Sequence, residues 1–432
     1  MKRILTTEAG AHLGQRVRLT GWLHTVRRMG GVNFIVLRDG WGMIQAVTET
    51  EADLAPLRVG GLGPETVIAL EGLVVAAAQA PGGLELHEPR LEVITPVVEA
   101  PPVQLNKREI KAGLATLLDH AVVANRQPRR RAIFRLAAGV MSGFRVTLNE
   151  RGFTEIQTPK IVASATEGGA NVFQLDYFGR PAFLAQSPQF YKQIMVGVFE
   201  RVFEVGPVFR AEPHDTTRHT NEYVSLDVEF GFIEDHFTVM AMVREVMAGI
   251  FSTLAEGYTT ELELLKASLP TVPAEIPHIH FSEAQDLILQ RHGVDVKGEP
   301  DLSPQDERWL GEWAQVEFNN DFLFVTGYPM VKRPFYTHPD PERPDYSNSF
   351  DLLFRGTELI TGGQRLHRYE AYLAAAQLPV EPFETYLEAF RYGMPPHGGF
   401  AIGLERLLMQ LLGLPNLRLT TLFPRDLSRL AP

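Results

Sequence analysis

The residues best suited to chemistry are concentrated in residues 201–229, which read RVFEVGPVFRAEPHDTTRHTNEYVSLDVE. Residues 202–209 are largely apolar and β-branched, and residues 223–230 alternate apolar with acidic side chains, which predicts two paired strands. The loop between them is crowded with charge from Arg210, Glu212, His214, Asp215, Arg218 and His219. A planar guanidinium can bridge two oxyanions bidentately and never loses its charge. The stretch therefore indicates a site for a charged ligand, although a solvated surface turn would carry a similar charge run.

A second group of charged and amide side chains occurs in residues 186–193, QSPQFYKQ, which are predicted to open a helix. Helix N-termini attract anions, and Lys192 falls within the first turns, where an ordinary exposed lysine would also fall. Upstream, Glu167 precedes two glycines in a flexible acidic turn suited to closing over a cationic group. These segments add a candidate cation and a candidate anion to the charged hairpin.

The composition limits the possible classes of protein. The chain has 432 residues, 45% hydrophobic and 22% charged, as expected for a soluble globular protein of two or three domains. Because it has no cysteine, disulfides, thiolate nucleophiles and cysteine-ligated metals are excluded. The N-terminus lacks a signal-peptide core and no apolar run reaches the roughly 18 residues of a membrane span, which favours a cytoplasmic protein without membrane association. A net charge of −11 argues against nonspecific coating of nucleic acid but allows local basic patches, such as Arg27–Arg28 and residues 126–131.

Residues 1–100 predict a small β-barrel domain. Short apolar runs separated by Gly and Asp turns predict five strands, at residues 16–23, 32–38, 43–48, 66–76 and 84–95. Five strands in this length are typical of an OB-fold, which commonly binds single-stranded nucleic acid on one face. Phe34 and Gln45 lie on adjacent predicted strands, so a ring able to stack on an unpaired base neighbours an amide able to read its edge. A core phenylalanine and a surface glutamine are the alternative interpretation.

After the barrel, a proline cluster predicts a linker at residues 101–130, followed by a second domain at residues 131–432. Apolar residues at a helical period predict an amphipathic helix at 131–150. A strand broken at Pro159 is predicted at 152–161.

The rest of the second domain alternates helical and strand patterns. Residues 235–320 are mostly helical and suggest no chemistry, and His278 and His280 lack the third ligand that a metal site would need. Further strands are predicted at 322–329, on both sides of Gly356, and in the small residues that precede Glu405.

Three segments resemble the three motifs of class II aminoacyl-tRNA synthetases. The strand with Pro159 resembles motif 1, whose proline lies at the dimer interface in that family. The hairpin with Arg210 resembles motif 2, and residues 403–406, Gly-Leu-Glu-Arg, resemble motif 3. The chain has no GxxxxGK[ST] phosphate loop, so arginines on an antiparallel sheet would bind phosphate instead. The resemblance implies an α+β multidomain protein, with an N-terminal OB-fold β-barrel and a catalytic domain whose antiparallel sheet is flanked by helices.

An OB-fold joined directly to the catalytic domain is similar to the aspartyl, asparaginyl and lysyl subgroup of class II. The segments ATEGG, QSPQFYKQ, FRAEPHDTTRH, GGQR and MPPHGGFAIGLER resemble those of archaeal-type aspartyl-tRNA synthetases, over nearly the whole chain. There is no room between motifs 2 and 3 for the large inserted domain of the usual bacterial enzyme. The resemblance implies a homodimer that attaches L-aspartate to tRNA through an aspartyl-adenylate.

The resemblance also implies how aspartate is bound. Lys192 and Arg365 would hold its side-chain carboxylate, and three residues would hold its α-ammonium. The full implied set is Glu167, Gln189, Lys192, Arg210, Asp227, Thr361 and Arg365, with Glu167 on a closing loop. Asparagine would leave Lys192 without an anion in a desolvated pocket, at a penalty of about 1–3 kcal/mol, and lysine would be repelled. Asparaginyl enzymes also tend to have Glu at the position of Asp227, so aspartate is the predicted substrate.

Binding of ATP and Mg²⁺ is implied as well. The implied ATP-binding residues are Arg210, Glu212, Arg218, His219, Thr220, Tyr223, Glu358, Gly403, Glu405 and Arg406. Arg210 would bind the α-phosphate and the aspartate carboxylate, and Arg406 would stack on adenine and hold the γ-phosphate, so these two are the implied catalytic residues. Glu358 and Thr361 would bind Mg²⁺ through oxygen, although Thr361 stands where the family has Ser. Positioning and charge neutralisation would promote the reaction without a general base.

The tRNA anticodon contacts implied by the resemblance are His24, Arg27, Phe34, Gln45 and Pro81. Members strict for tRNA-Asp have Trp and Lys at the positions of His24 and Pro81, so this chain resembles the nondiscriminating form that charges tRNA-Asp and tRNA-Asn. A partner amidotransferase would then convert Asp-tRNA-Asn.

Other activities remain as alternatives. A discriminating aspartyl-tRNA synthetase and an asparaginyl-tRNA synthetase are the nearest. A tRNA-independent ligase would give no reason for the first 100 residues, and a noncatalytic paralogue would be expected to lack Arg210, Arg406 or Glu358, all of which are present.

Overall fold

The computed structural model describes residues 1–59, 62–163, 172–213, 216–375 and 383–431. The chain forms two compact units, Met1–Arg130 and Arg131–Pro432. The first contains a mostly antiparallel barrel and the second a mostly antiparallel sheet with helices, so the α+β class expected from the sequence is confirmed.

The first unit is built on a six-stranded barrel. Its elements are β1 (Arg3–Ile4), β2 (Arg16–Met29), β3 (Val32–Arg38), β4 (Met43–Thr48), α1 (Ala55–Arg58), β5 (Val67–Ala76) and β6 (Leu84–Thr95). The strands pair in the order β1-β2-β3-β4-β6-β5, and β2 also pairs with β5, which closes the sheet. Val17, Leu19 and Leu23 are buried in the barrel core, because alternate side chains of a strand point to the same face. All five predicted strands occur, and the first extends further than expected, to Met29.

The predicted linker at residues 101–130 is folded. It contains α2 (Leu114–Asp119) and α3 (Ala121–Ala124). Val103, Leu105 and Ala124 pack into a small apolar cluster, so this segment has a core of its own.

The second unit contains two sheets. Its strands are β7 (Thr154–Glu155), β8 (Ile161–Val162), β9 (Gln174–Tyr177), β10 (Arg180–Leu184), β11 (Arg201–Phe209), β12 (Glu222–Gly231), β13 (His278–His280), β14 (Phe322–Thr326), β15 (Ser349–Phe354), β16 (Glu358–Gln364) and β17 (His397–Gly403). The larger sheet has the order β13-β14-β15-β16-β17-β12-β11-β7, with parallel pairing only at its two edges. The smaller has the order β8-β10-β9. The order of the larger sheet brings β12, β16 and β17 together, although β12 is far from the other two in the chain.

The helices flank the larger sheet. They are α4 (Pro128–Glu150), α5 (Gln189–Phe199), α6 (His236–Gly257), α7 (Thr259–Leu265), α8 (Phe281–His292), α9 (Pro304–Phe318), α10 (Tyr369–Ala375), α11 (Glu384–Arg391) and α12 (Leu404–Leu411). The first begins at Pro128, before the predicted start, because proline suits the first turn of a helix. By length and apolar composition, α6 alone among the helices of the described chain could cross a membrane. Val239, Val243 and Ile250 on α6 are fully buried in the core of this unit, which accounts for that composition.

The strand predicted at residues 152–161 is broken at Pro159 as expected, but its two parts do not belong to one sheet. The chain forms β7 and β8, and these belong to different sheets, with Pro159 between them. Proline has no N–H to donate to a strand ladder, which accounts for the interruption.

Candidate functional site

The charged loop at residues 210–221 is held closed at its base. β11 and β12 pair in register from Arg201 with Phe230 to Phe209 with Glu222. Arg210 N–H donates to the Asn221 carbonyl at 2.9 Å. The Asn221 amide donates in return to the carbonyls of Arg210 at 2.8 Å and of Glu212 at 3.2 Å. His214 and Asp215 lie outside the described residues.

A cleft with a cavity volume of about 290 Å³ opens beside this loop. All ten residues predicted to bind ATP line it, together with Ser225, Leu359, Thr361, Ala401 and Leu417. The Arg210 guanidinium carbon lies 5.7 Å from the centre of the Tyr223 ring. Arg406 Nη1 donates to the Glu358 carbonyl at 3.0 Å and to its Oε1 at 3.3 Å. The cleft therefore combines arginines, an aromatic face and carboxylates, which are the groups needed to bind a nucleoside triphosphate together with a divalent cation.

Side-chain oxygens that could bind a cation lie close together on β15 and β16. Thr361 Oγ1 donates to Glu358 Oε1 at 3.1 Å, and Asp351 lies directly opposite Thr361 in the strand register. Burial raises the pKa of Asp351 to about 6; Glu358 adds to the rise, whereas Arg333 opposes it. Burial also opposes ionisation of Glu358, but Arg406 and Arg333 together hold its pKa below the usual value. Two carboxylates and a hydroxyl fit the hard oxygen ligands that Mg²⁺ prefers.

A smaller cavity of about 130 Å³ adjoins the cleft. Its lining includes Gln189, Lys192, Arg210, Asp227, Thr361 and Arg365, which are the residues predicted to bind aspartate apart from Glu167. Glu167 lies outside the described residues. The two cavities share Arg210, Tyr223, Ser225, Thr361 and Ala401. The volume suits an amino acid better than a nucleotide, and Arg210 faces both spaces.

Lys192 and Arg365, which line this cavity, both contact one buried carboxylate. Lys192 Nζ lies 3.4 Å from Glu229 Oε2, and Arg365 Nε lies 3.0 Å from Glu229 Oε1. Lys192 Nζ also lies 3.0 Å from Asp227 Oδ1. Burial opposes ionisation of Glu229, but Arg365 and Lys192 hold its pKa below the usual value. The two cations and two anions form a neutral buried layer.

This layer corrects one expectation from the sequence. Asparagine would not leave Lys192 without an anion, because Asp227 and Glu229 already contact its ammonium. Sequence reasoning also missed Glu229. The alternation of side chains along β12 could have indicated Glu229, because it follows Asp227 by two residues and so points to the same face.

A buried hydrogen-bond network supports the cavity from behind. Gln193 Nε2 lies 2.9 Å from His397 Nε2, and Gln193 Oε1 accepts from the Tyr386 hydroxyl at 2.9 Å. His397 Nδ1 lies 2.9 Å from the Pro395 carbonyl, and burial lowers the His397 pKa to about 4. The imidazole is therefore neutral, donating from Nδ1 to Pro395 and accepting from Gln193. Because Gln193 is on α5 beside Lys192, the network fixes the helix that carries this lysine.

Glu405 lines the nucleotide cleft, and its carboxylate contacts a backbone N–H of β12. Val224 N–H lies 3.1 Å from each Glu405 carboxylate oxygen. Burial raises the pKa of Glu405 to about 7, against the opposing effect of this backbone contact.

Pro159 lies apart from both cavities. It lines a separate space of about 580 Å³ with Ile161, Tyr177 and Arg180. Ile161 is 48% and Tyr177 41% exposed, so this face presents apolar surface around the proline.

In the barrel, a chain of contacts crosses one sheet face. Arg27 Nη2 donates to Gln45 Oε1 at 2.7 Å, and its guanidinium carbon lies 5.6 Å from the Phe34 ring centre. Gln45 Nε2 donates in turn to Glu85 Oε1 at 2.6 Å, and His87 Nε2 lies 3.3 Å from Glu85 Oε2. The structure thus brings three predicted anticodon contacts together and adds Glu85, which sequence reasoning missed.

The other two predicted anticodon residues lie elsewhere in the barrel. His24 is at a register irregularity of β2, and its Nδ1 is buried with no hydrogen-bond partner among the residues that the structure describes. Burial, reinforced by Arg38, lowers the pKa of His24. Pro81 begins a short 3₁₀ turn, Pro81–Gly83, before β6.

This combination of an OB-fold barrel with an arginine-lined cleft on an antiparallel sheet defines a class II aminoacyl-tRNA synthetase. Residues 114–427 match the model of the class II tRNA synthetases (D, K and N), and residues 17–94 match that of the OB-fold nucleic acid binding domain. The chain belongs to this family of synthetases.

Particular relatives are similar over their full length. The chain is 47% identical over 436 residues to the aspartate–tRNA(Asp/Asn) ligase of Thermus thermophilus, covering 100% of both proteins. It is 48% identical to the ligase of the same name from Deinococcus radiodurans, covering 100% of this chain and 99% of the relative. The solved asparaginyl-tRNA synthetase of Pyrococcus horikoshii complexed with asparaginyl-adenylate is 34% identical, with a TM-score of 0.92 and 100% of both chains covered.

Proposed function

We propose that this protein uses ATP to attach L-aspartate to both tRNA-Asp and tRNA-Asn through an aspartyl-adenylate. The observation that carries the proposal is the pair of adjoining cavities that share Arg210. One is lined by arginines, an aromatic ring and carboxylates suited to ATP, and the other by Lys192 and Arg365, which both contact buried Glu229. The names of the relatives at 47% and 48% identity support aspartate and the dual tRNA specificity.

The chemistry follows from the shared arginine. Because Arg210 lines both cavities, its guanidinium would contact the aspartate α-carboxylate and the ATP α-phosphate together. The carboxylate attacks the α-phosphorus in line and pyrophosphate leaves. The terminal ribose hydroxyl of tRNA then attacks the carbonyl of the aspartyl-adenylate, which forms the aspartyl ester, breaks the bond to phosphate and releases AMP with the hydroxyl proton. Arg210 and Arg406 are the catalytic residues, and their fixed charge favours the transition state without a protein base. Mg²⁺, held by Glu358 and Thr361 with Asp351 beside them, would neutralise phosphate charge.

An asparaginyl-tRNA synthetase is the second candidate. Asp227 neutralises Lys192 at 3.0 Å, which removes one electrostatic argument against asparagine. The P. horikoshii asparaginyl enzyme has a closely similar fold, but at 34% identity it is more distant than the aspartate ligases.

Amino-acid-dependent exchange between pyrophosphate and ATP tests the amino acid. We expect exchange with aspartate and none with asparagine or lysine at equal concentration. Exchange that depends on asparagine would contradict the proposal and establish the alternative.

Charging of purified tRNA-Asp and tRNA-Asn transcripts tests the tRNA specificity. His24 and Pro81 are proposed to permit both anticodons, which differ only at the third base. We expect both transcripts to be charged, and failure on tRNA-Asn would leave a discriminating enzyme.

The proposal also covers the location, the oligomeric state and a partner of the enzyme. We infer a cytoplasmic homodimer in which the exposed surface around Pro159 lies at the dimer interface, and a partner amidotransferase that converts Asp-tRNA-Asn. Sedimentation of the purified protein tests the dimer. Conversion of the charged tRNA-Asn by an added amidotransferase tests the partner.

A further inference from the structure

Glu307 joins two parts of the nucleotide cleft. It lies in the first turn of α9, within the segment from which the sequence suggested no chemistry. Its Oε2 accepts from Arg218 Nη2 at 2.8 Å and from the backbone N–H of Glu358 at 3.0 Å. The Glu307 side chain is 10% exposed and that of Arg218 is 25% exposed, so water competes little for this contact.

We propose that Glu307 is a positioning residue for adenylate formation, holding Arg218 toward the nucleotide and fixing the start of the strand that carries Glu358. This inference rests on the proposed function. Glu307 itself does not line the cleft, whereas Arg218 and Glu358 both do. It therefore acts on the nucleotide only through them.

The backbone at Arg218 is held by other residues. Leu417 N–H donates to the Thr217 carbonyl at 2.8 Å, and Arg418 Nη1 donates to the Thr216 carbonyl at 3.1 Å. These contacts fix where the Arg218 side chain begins. A long arginine side chain has many rotamers, and the Arg218 guanidinium forms an ion pair with Glu307, so Glu307 selects among these rotamers.

The second contact of Glu307 fixes Glu358. Glu358 is the first residue of β16, and the β15–β16 register is irregular next to its partner Leu353. Its N–H is satisfied by the Glu307 carboxylate at 3.0 Å. Glu358 then presents its carbonyl and carboxylate to Arg406. Loss of Glu307 would leave this N–H without its acceptor at the edge of the cleft.

The packing of α9 makes Glu307 a rigid anchor. A Cβ added at Gly311 would collide with the Cα of Gly356 in the turn between β15 and β16, so the helix backbone packs directly on this turn. Gly356 also has φ +69°, which favours glycine. Helix and turn therefore keep a fixed separation, and the Glu307 carboxylate keeps its place relative to Glu358.

Exchange kinetics of Glu307 variants test the inference. Glu307→Gln keeps the shape but removes the ion pair, and Glu307→Ala removes both contacts. We expect each to lower kcat/KM for ATP by about tenfold or more, as for loss of a charge-assisted hydrogen bond. A higher Mg²⁺ requirement should accompany this loss, while the KM for aspartate stays near its original value.

A double-mutant cycle separates positioning from folding. If Glu307 acts through Arg218, the double variant Glu307→Ala, Arg218→Ala will lose less than the two single variants combined, and the loss beyond that of Arg218→Ala alone reports the contact with Glu358. Exposed Glu312 on the same helix forms no hydrogen bond or ion pair with the residues that the structure describes, and Glu312→Ala is the matched control, expected to resemble the unmodified protein. Melting temperatures report folding, and if Glu307→Ala unfolds, the cycle is run with Glu307→Gln and Arg218→Gln.

The outcomes distinguish the two proposals. Folded Glu307 variants with unchanged kcat/KM for ATP would overturn the inference, as would equal losses for ATP and aspartate or additive losses in the cycle. Absence of aspartate-dependent exchange in the unmodified protein would instead overturn the proposed function.

Discussion

Arg365 Nε lies 3.0 Å from Glu229 Oε1, although the two residues are 136 positions apart in the chain. Lys192 approaches the other oxygen of the same carboxylate, at 3.4 Å. Glu229 is fully buried, so this carboxylate holds two cations at the wall of the smaller cavity rather than in solvent. The charge that an amino acid meets there is set by a cluster of four groups and not by two unpaired cations.

Replacement of Glu229 by glutamine should therefore damage stability and activity together. Glu229→Gln leaves Lys192 and Arg365 with one anion fewer in a buried site. Breaking a buried ion pair typically lowers the free energy of unfolding by about 3–5 kcal/mol. We expect denaturant unfolding to show a free energy of unfolding that is lower by this amount. We also expect a large fall in kcat/KM for aspartate. Exposed Glu234 provides the control Glu234→Gln, and a stable, fully active Glu229→Gln protein would contradict this account.

Thr361 should matter for Mg²⁺ through its hydroxyl alone. Thr361→Ser keeps the donor that contacts Glu358 Oε1 at 3.1 Å, whereas the isosteric Thr361→Val removes it. We expect valine to raise the Mg²⁺ concentration for half-maximal exchange by about tenfold, as for lost partners of metal ligands. Serine should leave this concentration close to its original value. Equal behaviour of the two variants would exclude a role for the hydroxyl in metal binding.

Glu405 should make stability fall as the pH rises. Its folded-state pKa of about 7 exceeds the usual carboxyl value, so the folded protein holds a proton that the unfolded chain releases at lower pH. The associated stability is complete at acidic pH and is lost as the pH rises through about 7, by roughly 3 kcal/mol at neutral pH. Glu405→Gln cannot ionise, so its free energy of unfolding relative to the unmodified protein should increase between pH 5 and pH 8. A difference that does not change with pH would refute the assignment.

Glu85 should serve tRNA and not adenylate formation. The buried Glu85 carboxylate accepts from the Gln45 amide at 2.6 Å and so orients this predicted base contact. Mismatched base contacts typically change binding by about 1–3 kcal/mol. We expect Glu85→Ala to lower kcat/KM for tRNA by about 10- to 100-fold, with pyrophosphate exchange unchanged. Glu49→Ala, an exposed glutamate on the same barrel, is the control. Equal loss of exchange and charging would mean that the variant acts on folding.

Local patterns were sufficient for much of the fold. The short apolar runs at residues 32–38, 43–48 and 84–95, separated by Gly and Asp turns, predicted β3, β4 and β6 with their observed bounds. The prediction succeeded because turn residues and β-forming residues are local properties of the chain. The pattern predicted the break at Pro159 but not that β7 and β8 join different sheets, because sheet membership depends on partners, which the local pattern does not contain.

The sequence by itself determined the barrel, the charged hairpin and the residue types available for a nucleotide site, since strand periodicity and charge are local properties of the chain. Only the tertiary structure decided which charges meet. Glu229, Asp351 and Glu307 were not singled out from the sequence, and each gains its importance from a partner on another element. The physical reason is that the sheet order β15-β16-β17-β12-β11, and the packing of α5 and α9 against this sheet, bring distant segments together. In these buried contacts, the carboxylates of Glu229 and Glu307 hold Lys192, Arg365 and Arg218 in place.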